Sequence, residues 1–175
     1  MDRIVDLLFE LGTLKLIPRS GWFKIGIREP ESVAEHSFRT AFIAFLLAYI
    51  ETKDYDTACK AGMLGLIHDL NEARVLDLHK LSRKYVDVDL DAVLEEQLRQ
   101  LPEELCRSLL KDMERLEAFV KDADKLELLL QAKEYSETYP SAMEYTKKLE
   151  FKTETAKRLA EAIKRADGRW WLKLE

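Results

Sequence analysis

The chain is poor in cysteine, glycine and proline and has no excess of positive charge, and each lack excludes something. Its two cysteines, Cys59 and Cys106, match no zinc-ligand or disulfide spacing. That excludes a structural zinc finger and a disulfide scaffold; both lie in apolar helical patterns and read as reduced core residues, as suits a cytoplasmic protein. Six glycines and four prolines leave few breakers in 175 residues. With 47% hydrophobic and 35% charged residues, the composition is that of a folded, helix-rich chain rather than a disordered one. No internal repeat, low-complexity tract or convincing sheet pattern is present. The longest apolar run, Ala41 to Ile50, is half of what a bilayer span needs, and the N-terminus lacks a signal peptide's basic-then-apolar pattern. A soluble protein with no membrane contact is expected. The formal net charge of -5 argues against a surface that coats polymeric nucleic acid, while leaving room for a small anion in a local basic pocket. The length fits one domain over 1–175, in which a last helix and tail, from about 153, pack on the rest or on a second subunit.

Helical spacing of Ile4, Leu7, Leu8 and Leu11 opens the chain, with Gly12 as its stop. Pro18 and Gly21 then predict a loop that displays Arg19 and Trp22; an Arg can fork onto a phosphate and a Trp can stack on a base or cover the core. Ser32-Val33-Ala34-Glu35 has the form of a capping box, which accounts for Glu35 structurally and starts a helix with His36 in its first turn. That helix is apolar nearly all round through Phe38, Phe42, Phe45 and Leu47, so a central position is expected. Asp54 or Asp56 caps the next helix, where Gly62 and Gly65 allow close approach of a neighbour.

This helix stops abruptly at His68-Asp69, with Glu72 soon after. Polar groups emerging from a buried helix are costly unless paired or bound to a metal. A stretch from Asp77 to Asp89 commits to no periodicity. Helical pattern resumes from Leu90 to Leu101, a fresh helix starts at Pro102-Glu103-Glu104, and a further long helical segment lies from about Asp112 to Tyr139, with Asp124 beside its apolar stripe. Pro140 ends or kinks that segment. The last helix runs from about Thr153 to Ala166, followed by Trp170-Trp171-Leu172.

His36, His68-Asp69 and Asp124 thus sit on three expected helices, each beside an apolar face, which is how helical proteins build interior metal sites. Two imidazoles and two carboxylates suit one divalent ion, whether manganese, cobalt, magnesium, iron, nickel or zinc, and the absence of a cysteine ligand disfavours structural zinc.

The ordered series His36, His68-Asp69, Asp124 resembles the HD-domain metal-dependent phosphohydrolases. Pro18-Arg19-Ser20-Gly21-Trp22, Pro30-Glu31-Ser32-Val33-Ala34-Glu35-His36-Ser37 and His68-Asp69-Leu70-Asn71-Glu72-Ala73 resemble more narrowly its 5'-deoxynucleotidase branch. The resemblance implies an all-α helical bundle, a metal site in its interior, and hydrolysis of deoxyribonucleoside 5'-monophosphates. It implies His36, His68, Asp69 and Asp124 as ligands, Glu72 as the acid/base group, Arg19 and Trp22 near the nucleotide, Asp77 near the sugar, and a homodimer. The spacing of Arg19 and Trp22 departs from the adjacent Arg-Trp of many members, and Leu76 stands where relatives often have Gly. With only His79 left over, a two-metal site is not expected. Hydrolysis of another small phosphoester or pyrophosphate is the enzymatic alternative; a metal-stabilised helical module without activity is the non-enzymatic one.

Overall fold

The computed structural model describes residues 1–174. Among them there are seven α-helices and no strand; the one β-type pairing is the isolated bridge between Pro18 and Ser32. The α-helices are α1 (Asp2–Thr13), α2 (Val33–Thr52), α3 (Tyr55–Ile67), α4 (Glu72–Val75), α5 (Leu90–Leu98), α6 (Glu103–Ser136) and α7 (Glu154–Arg165). Short 3-10 turns at Leu14–Leu16, Ser20–Ile25, Ser82–Lys84, Pro140–Thr146 and Trp170–Lys173 fill the connections.

Helix α2 is the axis of the bundle and packs on α3, α6 and α7. Its start is fixed by the expected capping box: Ser32 Oγ accepts the Glu35 amide at 3.2 Å, and Glu35 Oε2 accepts the Ser32 amide at 2.6 Å. Asp54 caps α3 by accepting the Thr57 amide at 2.8 Å. The two helices lie unusually close because α3 offers glycines where they touch: a Cβ on Gly65 would fall 2.9 Å from Ala41 Cα, and one on Gly62 would fall 3.2 Å from Phe45 Cβ. Leu47 of α2, Leu64 of α3, Leu98 of α5, and Leu126 and Leu129 of α6 are fully buried in the shared core, and truncating any one of them to Ala is expected to cost about 2–5 kcal/mol.

Four expectations need correction. The segments starting at Pro102 and Asp112 form one helix, α6, because no Gly or Pro interrupts Glu103–Ser136 and mid-helix Asp112 is held by Arg115 and Lys60. Cys106 is buried, but Cys59 is exposed, since the outer face of α3 is itself apolar. Helix α2 is likewise central on one side only: Phe38 and Phe42 are 74% and 62% exposed. Helix Val33–Thr52 has the length of a bilayer span and contains an 18-residue window apolar enough for one, with a mean hydropathy of 1.2, more than the run from Ala41 suggests. Here that composition serves a core helix, interrupted by His36 and Arg39, whose side chains are both tied to α6.

Midway along α6, buried Asp122 accepts the amides of Lys152 and Thr153 and the Thr153 hydroxyl, which anchors the start of α7. Trp170 and Trp171 beyond α7 meet each other edge to face and stay more than half exposed.

Candidate metal centre

Local sequence explains how each side chain arrives at the centre. His36 follows the capping box by one residue and so points inward from the first turn of α2. His68 is the C-terminal cap of α3, and the chain turns there through Asp69, Leu70 and Asn71 into the single turn of α4, which carries Glu72. Asp124 faces in from the middle of α6. Arg19 is brought across by two backbone bonds flanking the Pro18–Ser32 bridge, Arg19 N to Glu31 O at 2.9 Å and Val33 N to Ile17 O at 2.8 Å.

The structure brings all four expected ligand residues together. His36 Nε2 lies 3.3 Å from His68 Nε2, 3.3 Å from Asp124 Oδ1 and 3.6 Å from Asp69 Oδ2. His68 Nε2 lies 3.1 Å from Asp69 Oδ2. The ligand atoms of His36, His68 and Asp124 fall within 4.8 Å of one another, as a shared ion requires. Both rings are held from behind: His36 Nδ1 by Glu127 Oε2 at 2.6 Å, His68 Nδ1 by the Gly65 carbonyl at 2.8 Å. His36 is fully buried, whereas the Asp124 side chain is 41% exposed, so the cluster opens to solvent on the Asp124 side.

The electrostatics of this pocket call for a cation. Burial and the Arg19 charge push the His36 pKa down, but Asp124 and Glu127 outweigh them and raise it to about 10. His68 is raised as well, burial being overcome by Asp69. Burial likewise works against ionised Asp69 and Asp124, yet the imidazoles hold both carboxyls below their usual range. Positive charge at the convergence point is therefore strongly favoured, and a divalent ion competes with protons for the same atoms. A donor set of two imidazoles and two carboxylates without thiolate fits such an ion.

Around this cluster the expected contacts separate. Arg19 NH1 lies 3.2 Å from Asp69 Oδ2, and its other nitrogens lie 3.9 Å from Asp77 and Asp124. Asp77 is fixed on the rim: its Oδ2 accepts the Ser20 amide at 2.8 Å, and its carbonyl accepts the Ser20 hydroxyl at 2.7 Å. Glu72 is 2% exposed, its Oε2 has no hydrogen-bond partner, and burial, then the charges of Asp69 and Asp77, raise its pKa to about 9. With no ion in the cluster, its carboxyl therefore keeps a proton well above the usual carboxylate range.

Trp22 is a correction. It is 3% exposed, stands edge-on between Tyr135 and Tyr145 with centroids 5.1 and 5.2 Å away, and donates to Glu31 at 3.1 Å. Its ring fills a second small core with Ile27, Ala132 and Ala142 and is not free to stack on a base.

Glu127, Arg39 and Glu31 are the participants that sequence reasoning did not nominate. The available signal for Glu127 was its position three residues after Asp124, on the same face of α6. Glu31, next to it, is pushed up to about 7 by burial and then by the Glu127 charge.

Fold and site define an all-helical protein in which two histidines and nearby carboxylates are positioned to hold a metal ion. The HD domain profile matches residues 11–167, and the chain belongs to the HD domain family. A crystal structure of a genomics target, APC5600, superposes with a TM-score of 0.88 at 44% identity, covering 98% of this chain and 99% of that one. A coding region of Archaeoglobus fulgidus superposes with a TM-score of 0.71 at 41% identity, covering 98% of this chain and 100% of that one. The protein from Bos taurus named 5'-deoxynucleotidase HDDC2 is 30% identical over 118 residues, 65% of this chain and 55% of that protein. The chain spans about half the length of the curated relatives it matches.

Proposed function

We propose that this protein is a divalent-metal-dependent phosphohydrolase whose substrates are deoxyribonucleoside 5'-monophosphates. The observation that carries the reading is one cluster of four ligand-type side chains, His36, His68, Asp69 and Asp124, in the same site as the buried carboxyl of Glu72. His36, His68, Asp69 and Asp124 would hold the ion. When bound, it supplies the Lewis acidity that makes water nucleophilic near neutral pH and offsets the charge of the phosphate.

The chain's own residues account for the rest. Arg19, now among the carboxylates of Asp69, Asp77 and Asp124, would be free to fork onto the phosphate once Asp69 and Asp124 hold an ion. Asp77, locked to Ser20, presents its acceptor to a sugar hydroxyl. Water adds to phosphorus, the bond from phosphorus to the 5' oxygen breaks, Glu72 Oε2 delivers the proton that the leaving oxygen needs, and a proton of the added water restores the Glu72 acid. Glu72 Oε2 is buried without a hydrogen-bond partner in the fold, which suits an atom kept for substrate. The relatives named 5'-deoxynucleotidase support the choice of substrate.

We also propose self-association through the outer face of α2 and α3. Phe38, Phe42, Phe45 and Tyr49 recur four, three and four residues apart, the spacing of a helix-to-helix seam. Phe42 stacks on Phe45 at 6.2 Å and Phe45 meets Tyr55 edge to face at 5.9 Å, so the apolar surface continues onto α3.

The test is phosphate release from deoxyribo- and ribonucleoside 5'-monophosphates by stripped protein, with manganese, cobalt, magnesium, iron, nickel or zinc restored singly. Metal-dependent turnover favouring the deoxy series is expected. Turnover only of other phosphoesters or of pyrophosphates would keep the hydrolase and discard this substrate. No turnover of any phosphoester, with metal bound, would leave a metal-stabilised helical module.

A further inference from the structure

Glu127 lies behind the ligand cluster, on α6, and contacts no solvent: it is 1% exposed, opposite a His36 that is fully buried. Its two oxygens are used differently. Oε2 takes the His36 Nδ1 at 2.6 Å; Oε1 takes Arg39 Nε at 3.0 Å and Arg39 NH2 at 2.8 Å. Arg39 is itself fixed by Gln131 at 2.8 Å and Glu134 at 2.6 Å, one and two turns further along α6. A chain of charge-assisted bonds thus runs from the rim of the fold to the back of the imidazole.

We propose that Glu127 is a positioning residue for His36: its carboxylate holds the proton on Nδ1 and turns the lone pair of Nε2 toward Asp124, His68 and Asp69. This rests on the reading of His36 as a metal ligand. The two histidines are then treated unequally. Each donates Nδ1–H to an acceptor, but His68 has the neutral Gly65 carbonyl, whereas His36 has an anion. An anionic acceptor makes the ring a better electron-pair donor and confines it to one tautomer and one orientation, and loss of such a partner lowers metal affinity about 10- to 100-fold. The cost of burying Glu127 is met by Arg39, so the arrangement serves the ring without leaving an unpaired charge.

Zinc and manganese are titrated by calorimetry into stripped wild type, Glu127→Gln, Glu127→Leu and His36→Ala, each checked for helix content by circular dichroism. Both Glu127 variants are expected to bind the ion about 10- to 100-fold more weakly while folded, Leu more so than Gln, which can still accept the Nδ1 proton. If His36→Ala binds metal like wild type, the metal-centre reading itself fails. If His36→Ala loses binding while both Glu127 variants bind like wild type, the positioning role is overturned and the centre stands. Nitrogen-proton correlation spectra of zinc-loaded wild type apply even if the variants do not fold: His36 must show a proton on Nδ1 and the metal-shifted signal on Nε2. The reverse assignment would overturn the proposal.

Discussion

Leu76 adopts a positive φ, 64° with ψ 170°, immediately before Asp77, whose carboxylate accepts the Ser20 amide at 2.8 Å. That backbone region is essentially reserved for glycine, and a side chain there costs about 1–3 kcal/mol. The single turn of α4 ends at this residue, so the strain sits where the chain leaves Glu72 and delivers Asp77 to the rim. Replacing Leu76 by Gly removes the strain but frees the unfolded chain, which takes back about 0.4–1 kcal/mol. A net gain of about 1 kcal/mol is therefore expected for Leu76→Gly and none for Leu76→Ala, which keeps its Cβ. Urea denaturation of the two variants decides it; equal stability of Gly and Ala would remove the claim of strain.

Glu72 links stability to pH in a direction opposite to most surface acids. Burial, followed by the charges of Asp69 and Asp77, lifts its folded pKa to about 9 from an ordinary 4.5. Between those values the folded state holds a proton that the unfolded state has released, so its contribution to stability is present at low pH and lost as pH rises toward about 9. Glu72→Gln should flatten that slope in thermal melts of stripped protein between pH 5 and 9. The same substitution should leave metal binding intact while lowering turnover by roughly 100- to 10,000-fold, the usual share of a positioned proton donor. Normal turnover by Glu72→Gln would free Glu72 from the chemistry.

The parts of the site visible in the sequence were those where a polar residue breaks an apolar helical pattern. His36 after a capping box, His68-Asp69 at the end of α3 and Asp124 beside a leucine stripe are all of this kind, and all four side chains converge. Glu127 gave no such signal because α6 carries many acids, and only the fold shows that Asp122 and Glu127 are the buried ones. Trp22 was misplaced for a different reason. Pro18 and Gly21 do mark an irregular segment, but the pocket that encloses the indole is built by Tyr135 and Tyr145, more than a hundred residues away. Cys59 and Phe42 show the converse limit: periodicity marks an apolar face without saying whether this chain covers it.

Gly65 tests whether close contact between α2 and α3 matters for the centre. Its absent side chain lets Ala41 Cα approach to within 2.9 Å of where a Cβ would stand, and the obstacle is backbone rather than a movable side chain. Gly65→Ala must therefore push the helices apart, at a cost of about 1–3 kcal/mol. Because Gly65 also supplies the carbonyl that holds His68 Nδ1 at 2.8 Å, weaker metal binding should accompany the loss of stability. Calorimetric metal titration well below the melting temperature separates the two effects. A variant that is destabilised yet binds metal like wild type would mean that helix spacing does not set the ligand geometry.

The aromatic face of α2 and α3 yields the last prediction. Phe38, Phe42, Tyr49, Tyr55, Met63 and Leu66 are each between 43% and 74% exposed. Together they offer on the order of 800 Å² of surface, about one side of a standard interface. Two antiparallel helices presenting such a face can meet an identical pair across a two-fold axis as a four-helix layer, with Phe38 of one copy near Tyr49 of the other. Phe42 lies at the middle of that seam, next to Phe45. Sedimentation should find a dimer for wild type and a folded monomer for Phe42→Glu, because the buried charge would have no partner across the axis. Replacing Trp170 and Trp171 by Ser is the control for the other exposed aromatic surface. If the tail variant is monomeric while Phe42→Glu remains a dimer, the subunits meet through the C-terminal tail, and the α2–α3 face is left to another partner.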